Sequence, residues 1–210
     1  MKYTTAQMSN RRSAMALFSA DHSARSHMVR IVLAEKGISY ELLAVNDENS
    51  PEELKDLNPY NEVPTLVDRD IVLYQHQVIV EYLDERFPHP PLMPVDPISR
   101  ARNRLMLNRI ERDWYSIVDV IVRNDKDSAA ARKALHDSLL GAMAIFEQRI
   151  FFLSDEFNML DCAMAPMLWR LPWYGVELPA SAKALTKYTE RVFSRASFVA
   201  SLTEGEKDMR

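Results

Sequence analysis

This sequence has almost no cysteine. Cys162 is the only one among 210 residues, so no intrachain disulfide can form. A reducing cytoplasm is the natural setting for such a chain, and Cys162 reads as a core residue. One cysteine and five scattered histidines provide no metal-ligand spacing, so no metal is expected. No apolar run approaches the roughly 20 residues that span a bilayer. Residues 1–13 are polar, carry Arg11 and Arg12, and lack the apolar core of a signal peptide; a disordered leader is expected there. A basic excess is also missing: 26 Lys and Arg face 30 Asp and Glu, for a net charge of -4. Direct grip on nucleic acid through phosphates is therefore disfavoured. Internal repeats and low-complexity segments are absent.

What is present is ordinary for a soluble globular protein, with 47% hydrophobic and 27% charged residues. The length fits one large domain or two small ones. Two halves differ in texture. The first mixes short β-prone runs with amphipathic segments: a strand over 15–18, a helix over 23–36 with Val29, Val32 and Leu33 on one face, and a strand over 40–45. Gly37 falls where a helix end needs left-handed dihedrals. A short helix over 51–57 follows, with Ser50 as N-cap and Pro51 as first helical residue. Strands over 65–67 and 71–73, joined by the turn 68–70, lead to a helix over 75–86. The order is βαβ, then ββα. The second half has no strong strand run. Helices are expected over 98–122, 128–146, 157–173 and 182–193, with a short segment near Phe198. The first has apolar residues at helical spacing from Leu105 and Met106 through Ile110, Trp114, Ile117, Val118 and Ile121. The polar tail 203–210 is expected to fray. The domain limits read from this pattern are 14–87, a proline-rich linker at 88–97, and 98–204.

The most informative stretch runs from Glu81 to Pro94. The helix cannot pass Pro88, which lacks a backbone N–H and clashes with the preceding turn. Four prolines in the seven residues 88–94 are expected to hold an extended backbone, with His89 between two of them. A rigid strip loses little entropy when a partner covers it, which suits docking. No second acid, base or nucleophile is near in sequence, so catalysis is not expected there.

The element order, with Val63-Pro64 just before the third strand, resembles the thioredoxin-like domain of glutathione transferases. That resemblance implies a cis Val63–Pro64 bond and a valine backbone that pairs with the cysteinyl part of glutathione. Phe157-Asn158-Met159-Leu160-Asp161 resembles the buried helix start of that family's helical domain. Asn158 would be its N-cap, Asp161 its capping-box partner, and Phe157 a staple on Cys162. The fold implied is the two-domain glutathione-transferase fold, α+β then all-α. The activating position of the serine and cysteine classes falls on Ser23, at a helix N-terminus that could favour a thiolate. Ser23 also serves as an ordinary helix cap. Where the family has Glu-Ser to hold glutathione, this chain has Gln75-His76. A lost charge-assisted hydrogen bond costs roughly 1.5–3 kcal/mol, so Ser23, Val63, Pro64, Gln75 and His76 read as a degraded glutathione site.

Longer matches narrow the resemblance. The runs 82–94, 110–115, 152–157, 168–172 and 201–204 resemble the stringent starvation protein A family. That resemblance implies a bacterial, cytoplasmic, non-enzymatic regulator of the stress response that associates with RNA polymerase and its housekeeping sigma factor. It further implies a homodimer, no cofactor, no membrane contact, and partner binding through Pro88, His89 and Pro90. Asp96 stands where that family often has a tyrosine. The competing reading is a glutathione transferase or glutathione-dependent reductase that uses Ser23.

Overall fold

In the computed structural model, residues 15–46, 51–124 and 126–210 are described. The expected leader and the Ser50 cap lie outside them. The chain divides into two compact units between Pro90 and Pro91.

The first unit contains β1 (Met15–Ser19), α1 (Ala24–Glu35), β2 (Tyr40–Ala44), α2 (Glu52–Leu57), β3 (Thr65–Asp68), β4 (Ile71–Tyr74) and α3 (His76–Arg86). The sheet order is β2-β1-β3-β4. β1 runs parallel to β2 and antiparallel to β3, and β3 is antiparallel to β4. β1 is buried along its whole length, as its unbroken apolar run requires of a central strand. In α1, Met28, Val29, Ile31, Val32 and Leu33 are all buried, so the helix is covered nearly all round. Its buried Arg30 donates to the Ser19 hydroxyl. Ser23 is the N-cap of α1, accepting from Ser26 N at 3.1 Å. Gly37, at φ +64°, takes the left-handed conformation expected of it.

The start of α2 differs from the sequence reading. Pro51 is the N-cap of α2 and not its first residue, because its ψ of 131° is extended.

The second unit is helical: α4 (Pro97–Ile110), a π-helical stretch (Glu111–Tyr115), α5 (Ser116–Arg123), α6 (Ser128–Gly141), α7 (Met143–Gln148), α8 (Met159–Trp169), α9 (Lys183–Phe193), α10 (Ala196–Ser201) and α11 (Glu204–Lys207). The helix expected over 98–122 is continuous but passes through the π-helical stretch. Its inward stripe is Leu107, Ile110, Trp114, Val118 and Ile121. Leu105 was expected on that stripe and is 63% exposed instead. It lies five residues before Ile110, about 140° around the helix at 3.6 residues per turn. The helix expected over 128–146 breaks at Ala142. The one expected over 157–173 is confined to Met159–Trp169, with Asn158 as its cap and Arg170 ending it.

The cap of α8 is the reciprocal box the sequence indicates. Asn158 Oδ1 accepts from Leu160 N at 2.8 Å, and Asp161 Oδ2 accepts from Asn158 N at 2.9 Å. Asp161 Oδ1 takes two further donors, Phe152 N at 2.9 Å and the Tyr188 hydroxyl at 2.7 Å. Burial pushes the Asp161 carboxyl up to about 6, against the pull of those donors. The ring of Phe157 packs edge-on against Phe151 and beneath the Arg195 guanidinium.

The tail does not fray as expected. Thr203 and Glu206 form a second capping box and start α11. Glu206 is fully buried and pairs with the equally buried Arg170, while its carbonyl accepts from Trp169 Nε1 at 2.8 Å. The polar composition hid a Thr-x-x-Glu signature whose acid finds a buried cation. Among the described residues, no helix is long and apolar enough to cross a membrane.

Candidate functional site

The register of the sheet brings the thiol-type residues together. β1 delivers the chain to Ser23 through the turn at 20–22, and Phe18 pairs with Thr65 at the start of β3. Thr65 in turn pairs with Tyr74 at the end of β4. Ser23, Val63-Pro64 and Gln75-His76 therefore share one end of the sheet. The Val63–Pro64 bond is cis. Asn58, 1% exposed, organises the loop before it: Nδ2 donates to Glu62 O at 3.1 Å and to Thr65 Oγ1 at 2.9 Å, and Oδ1 accepts from Tyr60 N at 3.0 Å.

This end of the sheet offers little for a charged thiol peptide. Ser23 Oγ is engaged as the cap acceptor of α1. Gln75 is exposed, sits at φ +69°, and makes no side-chain cap bond to α3. An uncharged amide stands there, where a carboxylate would attract an ammonium. His76, a large ring, is buried at the first position of α3. Among the described residues, no group of three or more His, Cys, Asp or Glu is placed to hold a metal.

The second site is the strip after α3. Pro88, His89 and Pro90 are all exposed. The strip is not simply extended: it bends, and the His89–Pro90 bond is cis as well.

The helix that presents it is clamped twice. Tyr82 OH donates to Asp68 Oδ2 at 2.7 Å, and Arg86 Nε lies 3.2 Å from the same oxygen. Burial, then the Asp68 carboxylate, raises the Tyr82 phenol above its ordinary range. Two residues from both Tyr82 and Arg86, on the other side of the helix, Asp84 Oδ1 meets Lys36 Nζ at 2.6 Å, with the lysine side chain fully buried and the aspartate 4% exposed. Lys36 Nζ also donates to the carbonyl of Pro90, which ties the strip itself to the end of α1.

Tyr82, Asp84 and Arg86 thus serve to fix the helix end that projects the prolines. Sequence reasoning missed Lys36, Asp68 and Asp84. Its only available signal was the i, i+4 spacing of Tyr82 and Arg86.

Downstream, Asp96 is the N-cap of α4, accepting from Ser99 N at 2.7 Å, with Pro97 in the first helical turn. That backbone hydrogen bond draws the Asp96 carboxyl below the usual carboxylate range. α4 begins at the residue where the expected linker ends.

Comparison with known proteins agrees with this architecture. The family model described as Glutathione S-transferase, N-terminal domain, matches residues 22–86, and that of the C-terminal domain matches 105–196. The solved Tau class glutathione S-transferase MiGSTU from mango, Mangifera indica, superposes with a TM-score of 0.78 at 25% identity, over 93% of this chain and 96% of that one. A maleylacetoacetate isomerase of Pseudomonas aeruginosa is 32% identical over 79% of this chain and 85% of its own. These matches define a two-domain protein of glutathione-transferase fold, thioredoxin-like and then helical. Much nearer in sequence is a stringent starvation protein A homolog of Haemophilus influenzae, 50% identical over 93% of each chain; that of Haemophilus ducreyi is 48% identical over 92% of each. Within the glutathione-transferase class, this chain belongs to the stringent starvation protein A family.

Proposed function

We propose that this protein regulates transcription in starvation and stress by docking on RNA polymerase and its housekeeping sigma factor, without catalysis. The carrying observation is the exposed Pro88-His89-Pro90 strip at the end of a helix held by the buried Lys36–Asp84 pair and by Tyr82 and Arg86 on Asp68. A pre-set strip of this kind gives up little entropy on binding. The name of the near relatives, stringent starvation protein A, supports the starvation context. In this reading the protein is a cytoplasmic homodimer that needs no cofactor and touches neither membrane nor nucleic acid directly.

The test is capture of RNA polymerase holoenzyme by the unmodified protein and by the triple variant Pro88→Ala, His89→Ala, Pro90→Ala, with a thermal melt of each. A docking centre typically loses 2 kcal/mol or more on truncation, roughly thirty-fold in affinity. The variant should stay folded and release polymerase. A folded variant that captures polymerase at full strength removes the strip from the mechanism.

A second reading has one observation in its favour: Ser23 stands at the N-terminus of α1, at the same end of the sheet as Val63–Pro64, in a fold shared with enzymes such as the Pseudomonas isomerase. Retention on glutathione resin, lost in Ser23→Ala, would support it.

A further inference from the structure

A cleft of about 470 Å³ opens in the helical unit; Pro91 and Pro94 line it, whereas Pro88, His89, Pro90 and the residues discussed for thiol chemistry do not. One face of α4 forms its first wall: Ser99, Arg102, Asn103 and Met106, at spacings that place them on one side of a helix. The loop at 153–158 forms the second, with Leu153 and Phe157 as its large apolar members. Residues 91–95 make the floor. The walls are tied in place. Met159 N donates to Leu92 O at 2.9 Å, and Arg100 Nε donates to Pro94 O at 2.9 Å. The Asn158–Asp161 capping box fixes the end of the loop. The volume falls within the range of pre-formed small-molecule sites, about 300–1,000 Å³.

One polar atom in this wall is unexplained. Asn103 Oδ1 is buried and has no hydrogen-bond partner. Buried acceptors are nearly always paired, so one left alone calls for a reason. The terminal torsion of asparagine is broad, and a turn about it presents the oxygen to the cleft that Asn103 lines. Charge narrows the ligand further. The cleft carries one cation, Arg102, and one anion, Glu156, so it has no net preference for a charged guest.

We propose that this cleft is a binding site for a neutral, mainly apolar small molecule that donates one N–H or O–H to Asn103 Oδ1. Met106, Leu153 and Phe157 cover its apolar body. The site does not depend on polymerase docking, and its test does not involve polymerase.

The probe is N-phenyl-1-naphthylamine, a neutral three-ring fluorophore with a single N–H that brightens on burial. It is titrated into the full chain and into three variants. Met106→Trp fills the cleft, Asn103→Leu removes the acceptor, and Val199→Ser alters an exposed apolar residue on α10 as a control. The unmodified chain should show a saturable rise with one site per chain. Affinity should fall at least tenfold in Met106→Trp and in Asn103→Leu, and stay unchanged in Val199→Ser. Asn103→Leu should also melt no lower than the unmodified chain, since it removes an unpaired buried acceptor. Absence of saturable binding in the unmodified chain, or full-strength binding in both cleft variants, overturns the proposal.

Discussion

Lys36 is a cation without solvent contact, held between the Asp84 carboxylate and the carbonyl of Pro90. Removing one partner of a buried pair leaves an uncompensated charge and costs about 3–5 kcal/mol. Lys36→Met alone, or Asp84→Leu alone, is expected to lower stability by that order in urea unfolding. The double variant should recover much of the loss, because apolar side chains replace both charges and no buried charge is left unpaired. Its polymerase capture should remain impaired, since the tether to Pro90 is still gone. Equal stability in the single and double variants would show that the pair does not act as a unit. Asp161 offers a second test at this scale. Its carboxyl is pushed up to about 6 in the folded chain, from an ordinary 3.8. The folded state therefore holds a proton that the unfolded state has released. The resulting stabilisation is fully present below about pH 4 and is lost as pH rises through about 6, to the extent of roughly 3 kcal/mol. Asp161→Asn keeps one acceptor oxygen but turns an N–H2 towards Asn158 N, so it should be less stable than the unmodified chain. It should also lack this pH slope. The stability gap between the two should then narrow from pH 4 to pH 7, and a gap that widens would contradict the raised pKa.

The last helix, α11, shows what one element contributes through its caps and a single ion pair. Four residues would not hold a helix in water. Here the Thr203–Glu206 box satisfies its start, Glu206 reaches the buried Arg170, and Arg210 lies over Trp169 and Phe193. Ending the chain at Leu202 would leave Arg170 without its carboxylate. A loss of about 3–5 kcal/mol is expected, visible as a lower melting temperature. Glu206→Ala in the full-length chain should reproduce most of it; a truncation without effect on the melt would mean that α11 is peripheral. This element also marks where the sequence stopped being legible. Strand and helix positions followed from periodicity, and the Asn158 cap from a short local pattern. Arg170 and Glu206 are 36 residues apart, and Lys36 and Asp84 are 48 apart. No local rule joins such partners, so a buried acid was read as part of a fraying tail. The sites divide the same way. The exposed proline strip and Ser23 at its helix start were readable, because each depends on neighbours in sequence. The clamps that position the strip depend on strand register and helix packing, which only the folded chain provides.

At the level of the whole molecule, one fold carries two surfaces that chemistry can separate. The end of the sheet keeps the cis proline and the helix N-terminus at Ser23, but it presents an uncharged Gln75 and a buried His76 ring, where the resemblance to glutathione transferases implies an acid and a small hydroxyl. Losing one charge-assisted hydrogen bond reduces affinity about ten- to a hundred-fold. Fold alone does not restore it. With glutathione and an aryl halide, turnover far below that of an ordinary transferase is therefore expected. The two surfaces should also respond independently. Ser23→Ala should capture RNA polymerase as the unmodified chain does, while the triple alanine variant of residues 88–90 should lose polymerase without changing its behaviour on glutathione resin. Each variant's melt controls for folding, because Ser23→Ala removes a helix cap and is itself expected to cost about 0.5–2 kcal/mol. Transferase turnover that disappears in Ser23→Ala, in a protein whose strip variant still captures polymerase, would reverse the assignment and make the end of the sheet the working site.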